Sequence, residues 1–420
     1  MSIPWHGTLP AHWEARKVND LFSERREKVS DTDFAPLSVS KGGVVPQIAT
    51  VAKSNAGDNR KLVKKGDFAI NSRSDRRGSS GVSEYDGSVS LINIVLTPRS
   101  ETNGRYWHYL LKSYGFIEVY YHNGRGIVAD LWTTRYTEMK SIYLPVPPIE
   151  EQDQIVRYLD WKVSGINKLI NAKKKQIALL QEQKRAVVNS VIVGSNSDTI
   201  RLKYVADVFI GLTYNPANLT EDDTGIAVLR ANNIQNGKLV WDGMAYVNCN
   251  VPEKLLLRIG DIIVCSRNGS RSLIGKCGKV TDKFCGKTFG AFNTVVRSKY
   301  SEYLYYVFHS QLFTDQSGLF STSTINQLTL GTFNAMEFPF PSIDVQKQIV
   351  VELDDKCGKL NTIIEKINTE ITLLGEYRTR LISDVVTGKM DVPGVEVPQY
   401  EAVEVVGEDE GDEMDEMEEE

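Results

Sequence analysis

Two long stretches of the chain carry apolar residues at alternating steps of four and three. The first follows Pro148 and runs to Gly194, and the second follows Pro341 and runs to Gly388. This spacing keeps one face of a helix against a partner, as in a coiled coil. We therefore predict two long helices, each starting after a proline and ending at a glycine. The predicted helix-pairing residues are Ile155, Leu159, Ile166, Ile170, Ile177, Leu180, Val187, Ile349, Leu353, Leu360, Ile364, Ile371, Leu374 and Leu381.

The two stretches are copies of one repeated unit. Residues 147–156 recur as residues 341–350, and the Gly-Asp-apolar run 66–73 recurs as 260–267, both at an offset of 194 residues. One offset across a helical and a non-helical region indicates a tandem duplication.

The duplication predicts the fold class. A long amphipathic helix needs a partner, and its own copy is the nearest one. The second globular region joins the end of one helix to the start of the other, which favours an antiparallel pair. We expect an α/β protein in which two mixed α/β heads are separated by a pair of long antiparallel coiled-coil helices, related by a pseudo-twofold axis. The predicted domains are a first head (1–147), a central helix (148–194), a second head (195–340), a C-terminal helix (341–389) and an acidic, disordered tail (390–420).

Within the heads, short apolar runs lie between turns rich in Gly, Ser, Asn and Asp. Runs such as 68–70, 91–96 and 262–264 predict β-strands. We also predict one helix over residues 106–120 and one over residues 303–313.

Composition is that of a globular protein. Of 420 residues, 41% are apolar and 25% are charged, and the mean hydropathy is −0.27. No apolar run is long enough for a transmembrane helix, and residues 1–13 lack the pattern of a signal peptide. The cysteines are odd in number and form no CxxC pair. We therefore expect reduced thiols in a cytoplasmic protein, with neither disulfides nor structural zinc.

Charge is distributed unevenly along the chain. The formal net charge is −5, but residues 408–420 hold ten carboxylates and no base, so the remaining chain carries +5. A mildly basic body is compatible with a nucleic-acid partner.

No pattern typical of a catalytic centre is present. Gly286-Lys287-Thr288 resembles the end of a phosphate-binding loop, but Thr281 stands where the first glycine is required. The histidines have no metal-ligand spacing, and no dinucleotide signature or methyltransferase motif occurs. We expect no catalytic residue, no metal and no cofactor.

Two arginine-rich loops carry the candidate chemistry. Arg73, Arg76 and Arg77 follow a β-like run in the first copy, and Arg267 and Arg271 do so in the second. Arginine grips phosphate or reads guanine in the major groove, and small neighbours let a backbone approach. A further basic cluster contains Arg60, Lys61, Lys64 and Lys65, which suit phosphate contact. For all of these residues the alternative is a solvated charged turn.

The order of these features resembles the DNA-specificity subunit of type I restriction–modification systems. Two poorly matched heads alternate with two well-matched helices, and each helix opens with Ile-x-x-Gln-x-x-Ile, at Ile149 and Ile343. The resemblance covers about residues 1–390. It implies that each head is a target-recognition domain for one half of a split DNA site and that the helices fix the gap between the halves.

The resemblance also implies partners. They are double-stranded DNA, two modification subunits that bind S-adenosylmethionine and methylate adenine, and restriction subunits with ATP-driven translocation that can join. The chain itself is then a non-catalytic recognition subunit with no membrane partner.

Two other interpretations stay open at this stage. The chain could supply recognition to a single fused enzyme that both cuts and methylates DNA. It could instead be a coiled-coil scaffold whose tandem heads bind proteins or glycans. Salt-dependent, sequence-selective DNA binding separates the DNA-binding interpretations from the scaffold.

Overall fold

The computed structural model describes residues 2–3, 5, 7–47, 59–100, 103–126, 132–195, 197–220, 224–319 and 327–406. The chain divides into two compact units: unit 1 comprises Met1–Lys175 and Asn368–Glu420, and unit 2 comprises Gln176–Ile367. Each unit therefore contains one head and a part of each long helix. The linear division into head, helix, head and helix differs from these units. The reason is that each long helix packs against one head near its start and against the other head near its end.

The head of unit 1 is built mainly on antiparallel strands. The strands are β1 (Ser2–Ile3), β2 (Gly7–Thr8), β3 (Glu14–Lys17), β4 (Phe22–Glu24), β5 (Lys28–Val29), β6 (Leu37–Ser40), β7 (Gly43–Pro46), β8 (Arg60–Val63), β9 (Phe68–Asn71), β10 (Ser80–Val82), β11 (Gly87–Val89), β12 (Asn93–Pro98) and β13 (Tyr143–Val146). The helices are α1 (Val18–Leu21), α2 (Gly104–Leu111), α3 (Tyr114–His122) and α4 (Tyr136–Met139), followed by the long helix α5 (Ile149–Val193). The central sheet has the order β10-β9-β12-β4, and β13 pairs with β3.

The head of unit 2 repeats the central sheet of the first. Its strands are β14 (Thr199–Arg201), β15 (Asp207–Ile210), β16 (Leu219–Thr220), β17 (Ile226–Leu229), β18 (Ile234–Gln235), β19 (Lys238–Leu239), β20 (Ala245–Val247), β21 (Ile262–Cys265), β22 (Cys277–Lys279), β23 (Thr288–Phe289), β24 (Asn293–Arg297) and β25 (Glu337–Pro339). Its helices are α6 (Ser301–Phe308), α7 (Gln311–Leu319) and α8 (Leu330–Ala335), followed by the long helix α9 (Ile343–Val386). The sheet order β22-β21-β24-β15 corresponds to β10-β9-β12-β4, and β25 pairs with β14 as β13 pairs with β3.

A buried aspartate lies immediately before β9 and before β21, the corresponding central strands of the two sheets. Asp67 accepts hydrogen bonds from the Arg25 guanidinium at 2.7 and 3.1 Å, and Asp261 accepts them from Arg297 at 2.7 and 2.8 Å. Both carboxylates are almost completely buried. The aspartate of the repeated Gly-Asp pair therefore has a structural role. A buried carboxylate is stable in the fold when it is paired and hydrogen-bonded, as it is here by a guanidinium.

The single helices predicted over 106–120 and 303–313 are each broken into two. The break in unit 1 falls at Ser113, whose hydroxyl donates to the carbonyl of Leu110 at 2.7 Å and accepts from the backbone N–H of Phe116. Serine competes in this way for backbone groups that a continuous helix would use. In unit 2, Ser310 donates similarly to Val307 at 2.6 Å.

The two long helices confirm the prediction from the apolar spacing. Helices α5 and α9 have 45 and 44 residues. In unit 1, Arg378 donates to Asn167 at 2.8 Å and Lys173 pairs with Glu370. As the residue numbers rise along α5, the numbers of their partners on α9 fall, so the two helices are antiparallel.

The two long helices are also in contact within unit 2. There Lys184 donates to the side chain of Asn361 at 2.9 Å. Lys184 lies on the apolar seam, and its burial lowers the pKa of the ammonium group. In both units, all of the predicted helix-pairing residues are buried or half-buried.

The segment after α9 corrects one prediction. Residues 390–420 were predicted to be a disordered tail, but residues 390–406 lie along α5 in unit 1, and we call them the strap. Val392 is buried in the core of that unit, and Gln154 on α5 donates to the carbonyl of Val395 at 2.7 Å. Residues 407–420 lie outside the described residues.

Asparagine side chains on α5 bind the backbone of the strap. Asn167 donates to the carbonyl of Val403 at 2.8 Å. Asn171 donates to the carbonyl of Glu404 at 2.7 Å and accepts from the N–H of Val406 at 3.0 Å. These side-chain amides form hydrogen bonds with the extended backbone of the strap, as a neighbouring strand would. The bonds explain why the strap lies along α5.

Candidate nucleic-acid interface

The arginine loop of unit 1 begins where β9 ends. The backbone N–H of Arg73 donates to the side-chain oxygen of Asn71 at 3.0 Å, and Arg73 forms an isolated antiparallel bridge with Thr133. Gly78, with a φ of 86°, closes the loop in a conformation that favours glycine. The Arg73 guanidinium pairs with Asp75 at 2.6 Å, and 41% of the side chain stays exposed. The backbone is fixed while the guanidinium remains accessible to a ligand.

Unit 2 repeats this arrangement after β21. Arg267 forms an isolated antiparallel bridge with Gln327, and its guanidinium carbon lies 5.1 Å from the centre of the Phe292 ring. Thr133 and Gln327 are themselves 194 residues apart, so the bridge partner belongs to the same duplication. Sequence reasoning missed this correspondence because the two positions do not share a residue type.

A cavity of about 540 Å³ opens beside Arg73 in unit 1. Its charged lining consists of Arg26, Lys61, Arg73, Arg135 and Glu24. Glu24 pairs with Arg26 at 2.6 Å and lies 3.7 Å from Lys61, and Asp75 pairs with Arg73. The four cations of the lining therefore outnumber these two carboxylates. Burial lowers the pKa of the Lys61 ammonium group. This excess of positive charge suits an anionic ligand such as a nucleic-acid backbone.

Two of these cations, Arg26 and Arg135, were not among the sequence-predicted site residues. Arg26 follows β4, and Arg135 immediately precedes α4, so only the folded chain brings them to Arg73. Neither belongs to a basic run shared by both copies. No sequence signal of the kind that singled out Arg73 was available for them.

The remaining predicted arginines lie within the same two loops. Arg77 pairs with Glu118 on α3, and its guanidinium carbon lies 5.8 Å from the centre of the Tyr121 ring. Arg76 is half-buried, and its carbonyl accepts a hydrogen bond from Tyr121 at 3.2 Å. Arg271 is exposed at the start of a short 3-10 turn that follows Arg267.

Two of the predicted lysines, Lys64 and Lys65, lie away from the arginine loop. Lys64 and Lys65 precede β9 and Arg73 follows it, so the two groups are at opposite ends of that strand. Lys65 pairs with Glu84 at 3.2 Å, and both lysines are exposed. The structure does not bring these lysines together with Arg73.

The long helices expose apolar side chains at matching positions. Leu169 and Leu373 are exposed in unit 1, and Leu179 and Ile363 are exposed in unit 2. The duplication relates Leu169 to Ile363 and Leu179 to Leu373, because each pair is separated by 194 residues. Each unit therefore displays the same pair of apolar positions, one on each helix. We call them the helix patches.

A family model accounts for both halves of the chain. The type I restriction modification DNA specificity domain matches residues 10–179 and again residues 194–373. The chain belongs to this family. Each specificity domain takes in one head and most of the long helix that follows it, which is the unit that the offset of 194 residues defines.

Curated relatives of this specificity-domain chain are specificity subunits. It is 28% identical over 195 residues to the type I restriction enzyme EcoKI specificity subunit of Escherichia coli K12, which is 44% of this chain and 41% of that protein. It is 22% identical over 289 residues to the MjaVIII specificity subunit of Methanocaldococcus jannaschii, which is 60% of this chain and 63% of that protein. The chain thus spans about two fifths of the length of the first relative and less than two thirds of the second.

A solved structure shares the fold. It describes complex assembly and conformational transition of the type I R-M system, and one of its chains superposes with a TM-score of 0.61 at 14% identity. The match covers 91% of this specificity-domain chain and 100% of that chain. At this identity the likeness concerns the fold alone.

Two features are absent from the described ranges. Within them, no helix is long and apolar enough to cross a membrane. Among the same residues, no three His, Cys, Asp or Glu side chains are grouped so that they could hold a metal ion.

Proposed function

We propose that this chain is the non-catalytic DNA-specificity subunit of a type I restriction–modification complex, in which each head reads one half of a bipartite double-stranded site. The observation that carries the proposal is the arginine turn present in both units. Arg73 and Arg267 occupy matching positions and have matching bridge partners, Thr133 and Gln327. Around this shared feature the exposed residues differ, as two readers of different half-sites require.

The chemistry of the arginine turns suits base reading. A guanidinium donates two parallel hydrogen bonds to the O6 and N7 atoms of guanine in the major groove. The surrounding cations of unit 1, Arg26 and Arg135 among them, bind phosphates and so fix the position of the head on the duplex. The long helices set the gap between the half-sites in this proposal.

The first test removes one arginine at a time. Arg73→Ala should weaken binding of the full target by about 10- to 100-fold and relax selectivity at one base pair of one half-site, with Arg267→Ala acting on the other half. The measurement is a titration of duplexes altered in one half at a time, at fixed salt, because phosphate contacts make affinity salt-dependent.

Lys64→Ala is the matched control for Arg73→Ala. Lys64 is exposed and lies at the other end of β9, so its removal should leave selectivity unchanged. If both arginine variants kept wild-type affinity and selectivity, the reading role of these turns would be wrong. An equal loss for every sequence would indicate phosphate contact in place of base reading.

The same proposal assigns two modification subunits to the helix patches. Leu169 and Leu373 lie at the same level of the helix pair, since Lys173 on α5 pairs with Glu370 on α9. Apolar side chains held at the surface of a helix pair favour association with another apolar helix face. Two equivalent patches then bind two copies of one partner, which supplies S-adenosylmethionine and flips the adenine out of the duplex. Restriction subunits join this assembly.

A double variant tests this docking. Leu169→Ser with Leu373→Ser should leave one modification subunit bound per chain where the wild type binds two, because burying each leucine contributes about 1.5–3 kcal/mol and the pair therefore changes the dissociation constant by a hundredfold or more. Native mass spectrometry of the purified complex gives the stoichiometry. Tyr85→Ser, which removes an exposed apolar side chain from the head of unit 1, is the control. Retention of two subunits by the double variant would count against these patches.

A further inference from the structure

Phe292 is held at the tip of a closed turn beside Arg267. The backbone N–H of Asn293 donates to the carbonyl of Gly290 at 2.9 Å and closes the turn. The carbonyl of Phe292 accepts from the N–H groups of Ser266 and Arg267 at 2.9 and 3.0 Å. Phe292 is nevertheless 56% exposed. The turn thus fixes the backbone of Phe292 against the arginine loop while the residue stays largely exposed to solvent.

Ile92 occupies the matching position in unit 1. The N–H of Asn93 donates to the carbonyl of Ser90 at 3.1 Å and closes the corresponding turn. Ile92 is 42% exposed, and it lines the same cavity as Arg73. Both heads therefore present a large apolar side chain at a turn tip next to the shared arginine.

This repetition needs a physical reason. A single exposed apolar residue on a protein surface requires no explanation, but here two occur at matching places in heads that otherwise differ. A closed turn also prevents Ile92 or Phe292 from moving its backbone into the core. Both residues are therefore suited to an apolar partner that is external to the head.

Major-groove chemistry identifies that partner. Among the groups that base pairs expose there, the 5-methyl of thymine is the apolar one, and the others are hydrogen-bond donors and acceptors. An apolar side chain beside an arginine therefore matches a thymine next to a guanine. Resting on the function proposed above, we propose that Phe292 and Ile92 are specificity-determining residues, each of which contacts the 5-methyl group of a thymine in the half-site that its head reads.

The exchange of isoleucine for phenylalanine gives the two heads different preferences. Ile92 is a branched aliphatic group at the edge of a basic cavity, and it covers one methyl group. Phe292 is a flat ring with the Arg267 guanidinium nearby, and it covers a methyl group together with part of the adjoining base. Two heads that share the arginine thus select different pairs of neighbouring bases.

Removing the side chain and the methyl group separately tests this inference. The full-length chain, purified with the subunits that accompany it, is used to select its target from random duplexes. Each thymine of the target is then replaced by uracil, which lacks only the 5-methyl group. We expect Phe292→Ala to weaken binding about tenfold. One uracil substitution in the corresponding half-site should weaken the wild type equally and leave the variant unaffected. Ile92→Ala should behave in the same way in the other half.

Ile259→Ala is the matched control in unit 2. Ile259 is 64% exposed, but it precedes β21, at the end of the strand opposite Arg267. We expect this variant to bind every duplex as the wild type does. A loss for Ile259→Ala equal to that for Phe292→Ala would overturn the inference, because it would reflect a general effect of removing exposed apolar surface.

The remaining outcomes separate this inference from the function on which it rests. If Arg267→Ala loses selectivity and Phe292→Ala does not, the inference is overturned and the proposed function stands. If neither variant changes DNA binding, the reading site itself is wrong. Loss in Phe292→Ala without coupling to any thymine methyl, or a half-site with no thymine on either strand, also overturns the inference. If Phe292→Ala loses affinity without coupling to a thymine methyl, the fluorescence of 2-aminopurine placed in the half-site tests whether the Phe292 ring unstacks bases instead.

Discussion

Replacing residues 1–146 by a head of different sequence should change one half of the DNA target and leave the other half unchanged. The exchanged segment carries Arg73, its bridge partner Thr133 and every cation of the basic cavity. It also contains both strands of the β3–β13 pair, so the exchange keeps this strand pair within one head. Discrimination at the original half-site should fall by a thousandfold or more, since selectivity is lost entirely there.

The replacement head must keep the hydrogen bonds that the native head makes with the long helices, such as that of Tyr109 to Asp160 on α5 at 2.7 Å. The hydroxyl of Tyr106 donates to the carbonyl of Val386 at 3.1 Å, so the replacement head must keep a tyrosine at that position to pack on α9. Mapping of methylated adenines in DNA from cells that express the complex measures the result. Exchange of residues 199–340 is the matched variant and should change the other half. A change in both halves after one exchange would refute independent reading.

Asp261→Ala should lower the free energy of unfolding of unit 2 by about 3–5 kcal/mol, because it leaves the partner guanidinium of a buried ion pair without its carboxylate. Asp261 accepts two hydrogen bonds from Arg297 and one from the N–H of Arg258 at 2.9 Å. It therefore fixes the turn before β21 as well as the charge. In a unit of this size, such a loss lowers the midpoint of thermal unfolding by roughly 10 °C.

Two further variants serve as comparisons for Asp261→Ala. Arg201→Ala removes an exposed ion pair with Glu337, and the unfolding free energy should fall by less than about 1 kcal/mol. Asp261→Leu combined with Arg297→Met replaces both charges by apolar groups and should recover much of the stability. The transition of unit 2 can be followed by hydrogen exchange of its sheet amides. If Asp261→Ala were no more destabilising than Arg201→Ala, the buried pair would not be the support that its geometry indicates.

The helices and the duplication could be predicted from sequence because they repeat. A seam of apolar residues such as Leu159 and Leu353 keeps its period over the whole of each helix, and a second copy at one offset removes chance as an explanation. The antiparallel direction followed from the connection between the helices. Arg73 and Arg267 stood out for the same reason, since both copies hold them.

The binding surface could not be predicted in the same way. Arg26, Arg135 and Ile92 come from segments far apart in sequence, and only the strand order brings them to Arg73. Sequence proximity also misled, since Lys64 is close to Arg73 along the chain but lies across the length of a strand. Short-range signals of this kind do not report which end of a strand a residue occupies.

The strap was missed because composition was averaged over residues 390–420. The carboxylates are concentrated after Gly407, whereas the preceding residues include several valines that pack on unit 1. Recognition of this segment by Asn167 and Asn171 involves its backbone, and backbone recognition leaves little trace in sequence.

The course of the strap determines where a group attached at Val406 would lie. Val406 lies beside Lys174, whose ammonium group donates to its carbonyl at 2.7 Å, and Lys174 is just past the midpoint of the 45-residue helix α5. A fluorophore attached at Val406 itself would therefore report from the middle of α5 and not from the end of α9, where the strap begins. Distances measured from such a label must be referred to the middle of α5, and a bulky label at that position would crowd a partner that approaches the helix pair from the same side.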